Sequence, residues 1–169
     1  MKHNYNNQCE NVVIRPLGEG DLEYLRVWRN DSANTKYLRK IPYITSEMQK
    51  NWFDNYLRDE TVMVFAIEEV EHICGLVGSM ALYNFEAKQA EFGRLLIGDN
   101  NAHGLRVALN ALNALKKIAQ NDLSLQKIYL HVYKDNLPAL KVYKEAGFSI
   151  TSQYVSDNKL TEYIMSIKL

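Results

Sequence analysis

Cysteine is scarce in this chain, and its distribution argues against a metal centre. Cys9 and Cys74 lie far apart, neither belongs to a Cys-x-x-Cys pair, and no cluster of histidine and cysteine with zinc spacing surrounds them. The pattern is typical of two reduced structural thiols. We therefore predict no metal site.

Long apolar runs are also missing. The longest uninterrupted aliphatic or aromatic run, VMVFAI, is far too short to span a bilayer, and the amino-terminal stretch MKHNYNNQCENVV lacks the apolar segment of a signal peptide. The sequence therefore predicts a cytoplasmic protein that has no membrane partner.

Neither sign of charge predominates. Lysine and arginine total 20, aspartate and glutamate also total 20, and the formal net charge is zero. No overall field therefore attracts the chain to nucleic acid or to anionic lipid. We predict no nucleic-acid partner, and any ligand must be recognised by a local site.

Repeats, low-complexity tracts and linkers rich in proline, glycine or serine are absent from the 169 residues. A composition of 47% hydrophobic and 24% charged residues is typical of a globular protein, and the length suits one domain with a sizeable core. The sequence thus predicts a single domain over residues 1–169.

Hydrophobic periodicity predicts alternating strands and helices. Asp21, Thr45 or Ser46, and Asp135 or Asn136 are candidate caps of three helices, and a fourth helix carries an apolar face from Leu105 to Ala119. The predicted strands are 12–17, 61–69, 72–83, 88–98, 127–133, 149–155 and 161–169, with a polar turn at Asp157 and Asn158 between the last two. The order β α α β β β α β α β β indicates an α/β fold with a mixed sheet.

The strands at 88–98 and 127–133 are joined by a helix. If they are neighbours in the sheet they are parallel, and a ligand would bind at the loop that leaves the first of them. That loop lies in GDNNAHGLRVALNAL, residues 98–112, and runs into a helix N-terminus, which can bind phosphate through backbone N–H groups. It holds one internal glycine, Gly104, and bulky Arg106 follows two residues later.

A second segment, DNLPALKVYKEAGF, carries a more specific pattern. Asn136, Ala139, Tyr143, Gly147 and Phe148 fit N-x-x-A-x-x-x-Y-x-x-x-G-F. With the opening VVIRPLGEGDLEYL and the loop-helix at 98–115, it resembles the GNAT superfamily of acyl-CoA-dependent N-acetyltransferases, nearest its RimJ/RimL-like branch. The resemblance covers nearly the whole chain and implies the GNAT fold, a mostly antiparallel twisted sheet flanked by helices.

The resemblance implies an acetyltransferase that uses acetyl-CoA. The acetyl group would move to a primary amine by direct attack in a ternary complex. No convincing Cys/His or Ser/His/Asp constellation argues for a covalent enzyme intermediate. A non-catalytic acyl-CoA-binding or regulatory module with the same fold is the alternative, and a plain interaction domain without a ligand is a third hypothesis.

The implied cofactor contacts centre on the family pattern Q/R-x-x-G-x-G/A, in which backbone N–H groups bind the coenzyme A pyrophosphate. Arg106 stands where the family has a small residue and would either block the phosphates or turn outward and pair with them; we expect the second. Leu96 would offer a backbone N–H to the thioester oxygen, and Asn136 would bind the pantetheine arm or cap its helix. The loop residues concerned are Asn101, Ala102, His103, Gly104, Leu105 and Arg106.

The resemblance also implies catalytic groups. Tyr143 would be the general acid that protonates the departing thiolate, although its spacing equally fits a core tyrosine. Glu91, on the strand that leads to the pyrophosphate loop, is our candidate base, although a strand glutamate more often faces solvent. His72, His103 and His131 are rival bases that we expect to be structural.

Acceptor recognition in this fold comes from the two early helices, the loop between them and the turn after Tyr83. The predicted contacts to a small-molecule or peptide amine are Arg29, Asn30, Tyr37, Arg39 and Tyr83. Trp28 and Trp52 are more often core anchors than substrate contacts at such spacing, and we expect both in the core.

The acceptor itself is left open. A protein N-terminal amine and a nucleotide-linked amino sugar rank nearly level, because the VWRND segment is also similar to amino-sugar acetyltransferases of surface-glycan pathways. A polyamine ranks lower because Lys36, Arg39 and Lys40 would repel a polycation. An antibiotic fits the same residues. Homodimers are common among such domains, although no sequence pattern here indicates one.

Overall fold

One mixed sheet organises the computed structural model, which describes residues 1–38, 41–156 and 159–169. Its strands are β1 Asn7–Cys9, β2 Val12–Pro16, β3 Val62–Glu69, β4 Gly75–Glu86, β5 Gln89–Ile97, β6 Lys127–Tyr133, β7 Ser149–Val155 and β8 Thr161–Lys168. The α-helices of the described residues are α1 Leu22–Asn30, α2 Ser46–Tyr56, α3 Val107–Asn121 and α4 Leu137–Glu145. The strand order is β1-β2-β3-β4-β5-β6-β8-β7.

The predicted α/β fold with a mixed sheet is confirmed. Strands β3, β4 and β5 form the expected antiparallel meander, and every other neighbouring pair is antiparallel except β5 and β6. The short strand β1 was not predicted, because its three residues are too few to show alternation. The predicted turn at Asp157 and Asn158 lies outside the described residues.

Two of the predicted helix caps are confirmed and one is wrong. Thr45 Oγ1 accepts the Met48 N–H at 3.2 Å, and Asn136 Oδ1 accepts the Ala139 N–H at 3.3 Å. Asp21 precedes α1, yet its carboxylate makes no bond to the first turn of that helix. It accepts the Gly18 N–H at 2.8 Å and both terminal nitrogens of Arg15 instead, because a guanidinium is the stronger partner.

Two apolar cores cover the two faces of the sheet. The core under α3 and α4 includes Phe65, Phe92 and Leu112, and the core under α1 and α2 includes Val64 and Phe53. Because side chains alternate along a strand, β3 supplies Phe65 to one core and Val64 to the other. The described helices thus lie on both faces of the sheet.

The two tryptophans of the early helices differ in environment. Trp28 packs against the core under α1 and α2 as expected, and its ring lies so close to Gly98 that a Cβ there would be 2.1 Å from the ring. The expectation that Trp52 is a core residue is wrong: it is 36% exposed, because α2 buries the face of Gln49, Phe53 and Tyr56.

Strands β5 and β6 are parallel, as the connecting helix predicted, but they pair over only three residues. Gln89–Glu91 matches Lys127–Tyr129, after which β5 follows β4 and β6 follows β8. One extra residue on β5 between Gly93 and Leu96 makes a β-bulge, with Arg94 at φ 55°. The two strands diverge beyond Glu91, and a cleft occupies the gap between them.

Candidate active site

A cleft of about 1160 Å³ opens where β5 and β6 diverge. Strands β4, β5 and β6, helix α4 and the segment from α1 to α2 all contribute lining residues. A mostly apolar concavity with a few convergent polar groups is typical of a small-molecule site. The cleft meets the end of β5, where the sequence predicted a ligand.

Tyr143 reaches the cleft from α4 and belongs to the core at the same time. Its ring packs edge-on against Phe92 at 6.0 Å and lies 6.2 Å from Phe148. Burial raises the pKa of its phenol to about 12, so the hydroxyl keeps its proton near neutral pH. No described group hydrogen-bonds to this hydroxyl, which leaves its proton available for a ligand atom. The predicted role as acid and the alternative as core residue are therefore compatible.

Backbone direction on β5 bears on the predicted role of Leu96. The Leu96 carbonyl points at β4, since a Cβ on Gly78 would lie 2.3 Å from it, and the Gly98 N–H donates to Val77 of β4 at 2.9 Å. The N–H and C=O of one strand residue share an edge, and the edge alternates along the chain. The N–H groups of Leu95 and Ile97 therefore face the open edge, and that of Leu96 does not.

The loop before α3 closes on itself and leaves a small set of donors. The N–H groups of Asn101, Ala102, His103 and Leu105 donate within the loop, to Asp99, Asp99, Asn100 and Ala102 respectively. No such acceptor binds the N–H groups of Gly104 or Arg106 among the described residues. The first N–H groups of α3, which begins at Val107, also lack helical partners. Of the predicted loop contacts, Gly104 and Arg106 keep a free N–H.

Arg106 adopts the left-handed conformation, with φ 56° and ψ 22°, at the position where the family pattern has a small residue. This conformation is ordinary for glycine and strained for arginine. Its guanidinium forms an ion pair with Glu145 of α4 and is well exposed. The side chain thus turns outward as expected, but its partner is a carboxylate. The Asn101 amide donates to Asp99 at 3.0 Å.

Tyr83 and Glu91 form a cross-strand pair beside the bulge. The Tyr83 hydroxyl donates to Glu91 at 3.0 Å, and the Asn84 amide donates to the other carboxylate oxygen at 2.7 Å. Gly93 makes room for the phenol, since a Cβ there would lie 2.3 Å from the Tyr83 oxygen. Tyr83 lines the cleft, and Glu91 is not among the described lining residues. Burial and the charge of Glu91 raise the pKa of the Tyr83 phenol far above its ordinary value.

Cationic side chains line the part of the cleft next to α1. Arg29, Lys36 and Arg94 line it, and the Arg94 guanidinium lies 5.0 Å from the centre of the Tyr83 ring. Burial and the neighbouring charge of Arg94 lower the pKa of Arg29. Glu162 is the only acidic residue among the described lining residues. The cleft therefore presents an excess of positive charge to an acceptor.

Of the remaining predicted acceptor contacts, some line the cleft and others do not. Tyr37 lines the cleft. Asn30 does not: its amide donates to the Ile44 carbonyl and accepts the Ile44 N–H, both at 2.9 Å, and thereby joins α1 to the segment before α2. Arg39 and Lys40 lie outside the described residues.

His131 occupies the β6 wall of the cleft and was expected to be structural. Its Nδ1 lies 2.9 Å from the Tyr154 oxygen, and Tyr154 donates its one hydroxyl proton to Glu162 at 2.9 Å. His131 Nδ1 must therefore be the donor to Tyr154, which leaves Nε2 as an acceptor in the neutral ring. His72 instead binds the buried Glu69.

Arg94 and Glu162 are site residues that the sequence reasoning missed. The alternation of side chains in the sequence of β5 does not reveal the bulge that places Arg94 at the cleft. Glu162 lies 71 positions after Glu91 in the chain, so no local pattern connects it with the site.

The residues given by the structure contain no group of three or more histidine, cysteine, aspartate or glutamate side chains that could hold a metal ion. Cys9 and Cys74 do not form a disulfide bond with each other. No described helix is long and apolar enough to cross a membrane.

Comparison with known proteins places the chain in a family. A model of the acetyltransferase (GNAT) domain matches residues 11–149. The chain belongs to this family. It is an acyltransferase of the N-acetyltransferase type that depends on acetyl-CoA. The predicted fold, enzyme class and cofactor are confirmed.

Individual relatives are distant but span most of the chain. Spermidine N(1)-acetyltransferase of Escherichia coli K12 is 26% identical over 149 residues, which are 88% of this chain and 78% of the relative. Acetyltransferase PseH of Campylobacter jejuni strain 81-176 is 28% identical over 134 residues, 79% of this chain and 80% of the relative. Spermidine N-acetyltransferase of Vibrio cholerae, solved with CoA and spermine, has a TM-score of 0.82 at 24% identity and covers 94% and 95% of the two chains. This structural likeness shows the shared fold.

Proposed function

We propose that the protein acetylates the primary amine of a nucleotide-linked amino sugar. The observation that carries this proposal is the set of three cations, Arg29, Lys36 and Arg94, in the part of the cleft next to α1. Guanidinium groups bind the paired oxygens of a diphosphate in a bidentate manner. A diphosphate would also relieve the repulsion between Arg29 and Arg94, which adds to the effect of burial in lowering the pKa of Arg29.

A polyamine is the second candidate acceptor, favoured by the matching spermidine N-acetyltransferases. A polycation needs carboxylates along its length, and the described cleft offers Glu162 alone against three cations. Electrostatics therefore ranks the polyamine second. A protein N-terminal amine, together with the narrower placement in the RimJ/RimL-like branch, stays a prediction from the sequence.

The cofactor site is proposed at the mouth of the β5–β6 gap. The N–H groups of Gly104, Arg106 and the first turn of α3 lie together at the N-terminus of α3. A helix N-terminus favours an anion such as the pyrophosphate. The N–H groups of Leu95 and Ile97 on the open edge of β5 are suited to hydrogen-bond the pantetheine amides and the thioester oxygen. Acetyl-CoA supplies the activated acyl group when bound. Asn136 lines the same gap and keeps its capping role.

Two proton transfers are assigned to tyrosines. The acceptor ammonium gives one proton to the Tyr83 oxygen while Tyr83 passes its own proton to Glu91, so that no free tyrosinate forms. The amine then attacks the acyl carbon, and its nitrogen loses a second proton as the amide forms. The Tyr143 hydroxyl donates its proton to the departing thiolate, and the second amine proton restores it. Glu91 thus acts as the base through Tyr83.

An acceptor screen tests the proposal. Thiol release from acetyl-CoA is measured with a nucleoside diphosphate-linked amino sugar, with spermidine and with a peptide that has a free N-terminus. We expect the highest kcat/KM for the nucleotide-linked sugar, and an increase in its KM in Arg94→Met. A higher kcat/KM for spermidine would overturn the acceptor assignment. Binding of acetyl-CoA without thiol release from any amine would support the non-catalytic alternative.

A further inference from the structure

A buried carboxylate is connected by hydrogen bonds to the loop that leads into α3. Glu69, at the end of β3, is completely shielded from solvent. Its oxygens accept hydrogen bonds from the N–H groups of Glu71, His72 and Ile73 at 3.2, 2.8 and 2.6 Å, from His72 Nδ1 at 3.1 Å and from Asn11 Nδ2 at 2.9 Å. Burial opposes ionisation of this carboxyl, but these hydrogen bonds outweigh it and lower its pKa to about 2.

Asn11 connects this carboxylate to the cofactor loop. Its Nδ2 donates to Glu69 and, at the longer distance of 3.4 Å, to the Leu105 carbonyl. Its Oδ1 accepts from the Asn110 amide at 2.9 Å, and its backbone carbonyl accepts the Val70 N–H at 2.9 Å. Asn11 and Asn110 are both buried. One asparagine therefore joins the start of β2, the β3–β4 turn, the loop and α3.

The two groups of this segment that Asn11 binds, the Leu105 carbonyl and the Asn110 amide, lie on either side of Arg106 in the chain. Leu105 precedes it, and the Asn110 N–H donates to the Arg106 carbonyl at 3.0 Å in the first helical turn. Arg106 itself is held at φ 56°, a conformation that a non-glycine residue keeps only where its surroundings impose it. Because the ion pair of Arg106 with Glu145 is solvent-exposed, it supplies little of that restraint. The buried network is the part of the structure that can supply it.

We infer that Asn11, held in place by Glu69, is a positioning residue for acetyl-CoA: it fixes the conformation of residues 104–107 so that the N–H groups of Gly104, Arg106 and Val107 converge on the pyrophosphate. This inference rests on the proposed cofactor site. Asn11 lies 93 residues before Gly104 in the chain and hydrogen-bonds the loop at the Leu105 carbonyl, so it acts through the loop backbone. Loss of its side chain lets residues 104–107 leave the binding conformation.

Calorimetric titration of acetyl-CoA into the full chain provides the test. Asn11→Ala is expected to raise the Kd about tenfold, the low end of what the loss of a supporting residue does at metal sites. Asn110→Ala, which removes only the α3 attachment, should have a smaller effect in the same direction and serves if Asn11→Ala does not fold. Glu69→Gln keeps an acceptor oxygen for Asn11 and should preserve more affinity than Asn11→Ala.

A matched control separates positioning from stability. Asp21→Asn weakens a part-buried ion pair with Arg15, a pair that makes no hydrogen bond to the described loop residues, and should lower Tm without changing the Kd. In Asn11→Ala, amide hydrogen exchange at residues 104–108 should become faster. A folded Asn11→Ala protein with lowered Tm and unchanged Kd overturns the inference.

A loop variant separates this inference from the proposed site. Gly104 has φ 86°, which a β-branched residue does not tolerate, so Gly104→Val should abolish acetyl-CoA binding. If Gly104→Val binds acetyl-CoA normally, the proposed cofactor site is wrong. If Gly104→Val loses binding and both asparagine variants retain it, the site stands and the role of Asn11 is wrong.

Discussion

The Tyr83 hydroxyl donates a 3.0 Å hydrogen bond to Glu91, its direct partner across β4 and β5, and only the phenol of this pair lines the cleft. In the proposed mechanism the carboxylate would therefore reach an acceptor through the phenol. This arrangement would give the proposed base a defined proton path and would keep the charge of Glu91 out of contact with a nucleotide-linked acceptor.

Loss of the Tyr83 hydroxyl is expected to interrupt that path. Tyr83→Phe should lower kcat by about 100-fold, a typical contribution of general base catalysis. Glu91→Gln should have a similar effect, because the amide cannot take the proton. Asn84→Ala removes only the second hydrogen bond of Glu91 and is the control. Steady-state thiol release measures the three variants, and equal kcat in Tyr83→Phe and wild type would refute the path.

Tyr143→Phe is expected to separate turnover from binding. The change removes the proton donor to the thiolate but keeps the ring that packs on Phe92, so kcat should fall about 100-fold while the acetyl-CoA Kd stays within about twofold. Because the pKa of Tyr143 is raised to about 12, the wild-type acid should remain protonated throughout the range from pH 6 to about 10. Unchanged kcat in Tyr143→Phe would contradict the assignment, and an alkaline loss of kcat with a midpoint near pH 8 in wild type, absent in the variant, would contradict the raised pKa.

Arg106→Gly is expected to relieve backbone strain. Glycine adopts φ 56° freely, and the lost ion pair with Glu145 is exposed, so the free energy of unfolding should rise by up to about 1 kcal/mol. The acetyl-CoA Kd should not increase, because Arg106 contributes its backbone N–H. Arg106→Ala keeps the strain and loses the ion pair, which makes it the matched control. Denaturant unfolding and calorimetry measure the two effects, and weaker acetyl-CoA binding in both variants would instead indicate a phosphate contact by the guanidinium.

Acid should destabilise the protein partly through Glu69. Its pKa is about 2 in the folded protein against 4.5 as the ordinary value, so the unfolded chain takes up this proton first. The contribution of Glu69 to stability is present above about pH 4.5 and is lost as the pH falls toward 2. Thermal unfolding followed from pH 6 to pH 3 should show a steeper decline of Tm in wild type than in Glu69→Gln. Parallel declines would argue against an ionised Glu69 in the folded state.

Short-range patterns predicted much of the fold and part of the site. The caps at Thr45 and Asn136, the helix that carries Tyr143 and the parallel relation of β5 and β6 follow from residues a few positions apart or from the length of a connection. The exposure of Trp52 was not predicted, because residues four positions apart can belong to either of two neighbouring faces of one helix. Only packing against the sheet selects the stripe that is buried.

The sequence by itself determined the order of elements, the family pattern from Asn136 to Phe148 and the presence of a helix after Gly104. Tertiary structure alone decided which groups of those elements work together. The bulge at Arg94 sets the edge that each N–H of β5 faces, Asp99 closes the loop so that few donors stay free, and Asn11 meets Glu69 across 58 positions of chain. The physical reason is that strand register and buried hydrogen bonds depend on segments distant in sequence, whose mutual positions no local pattern contains.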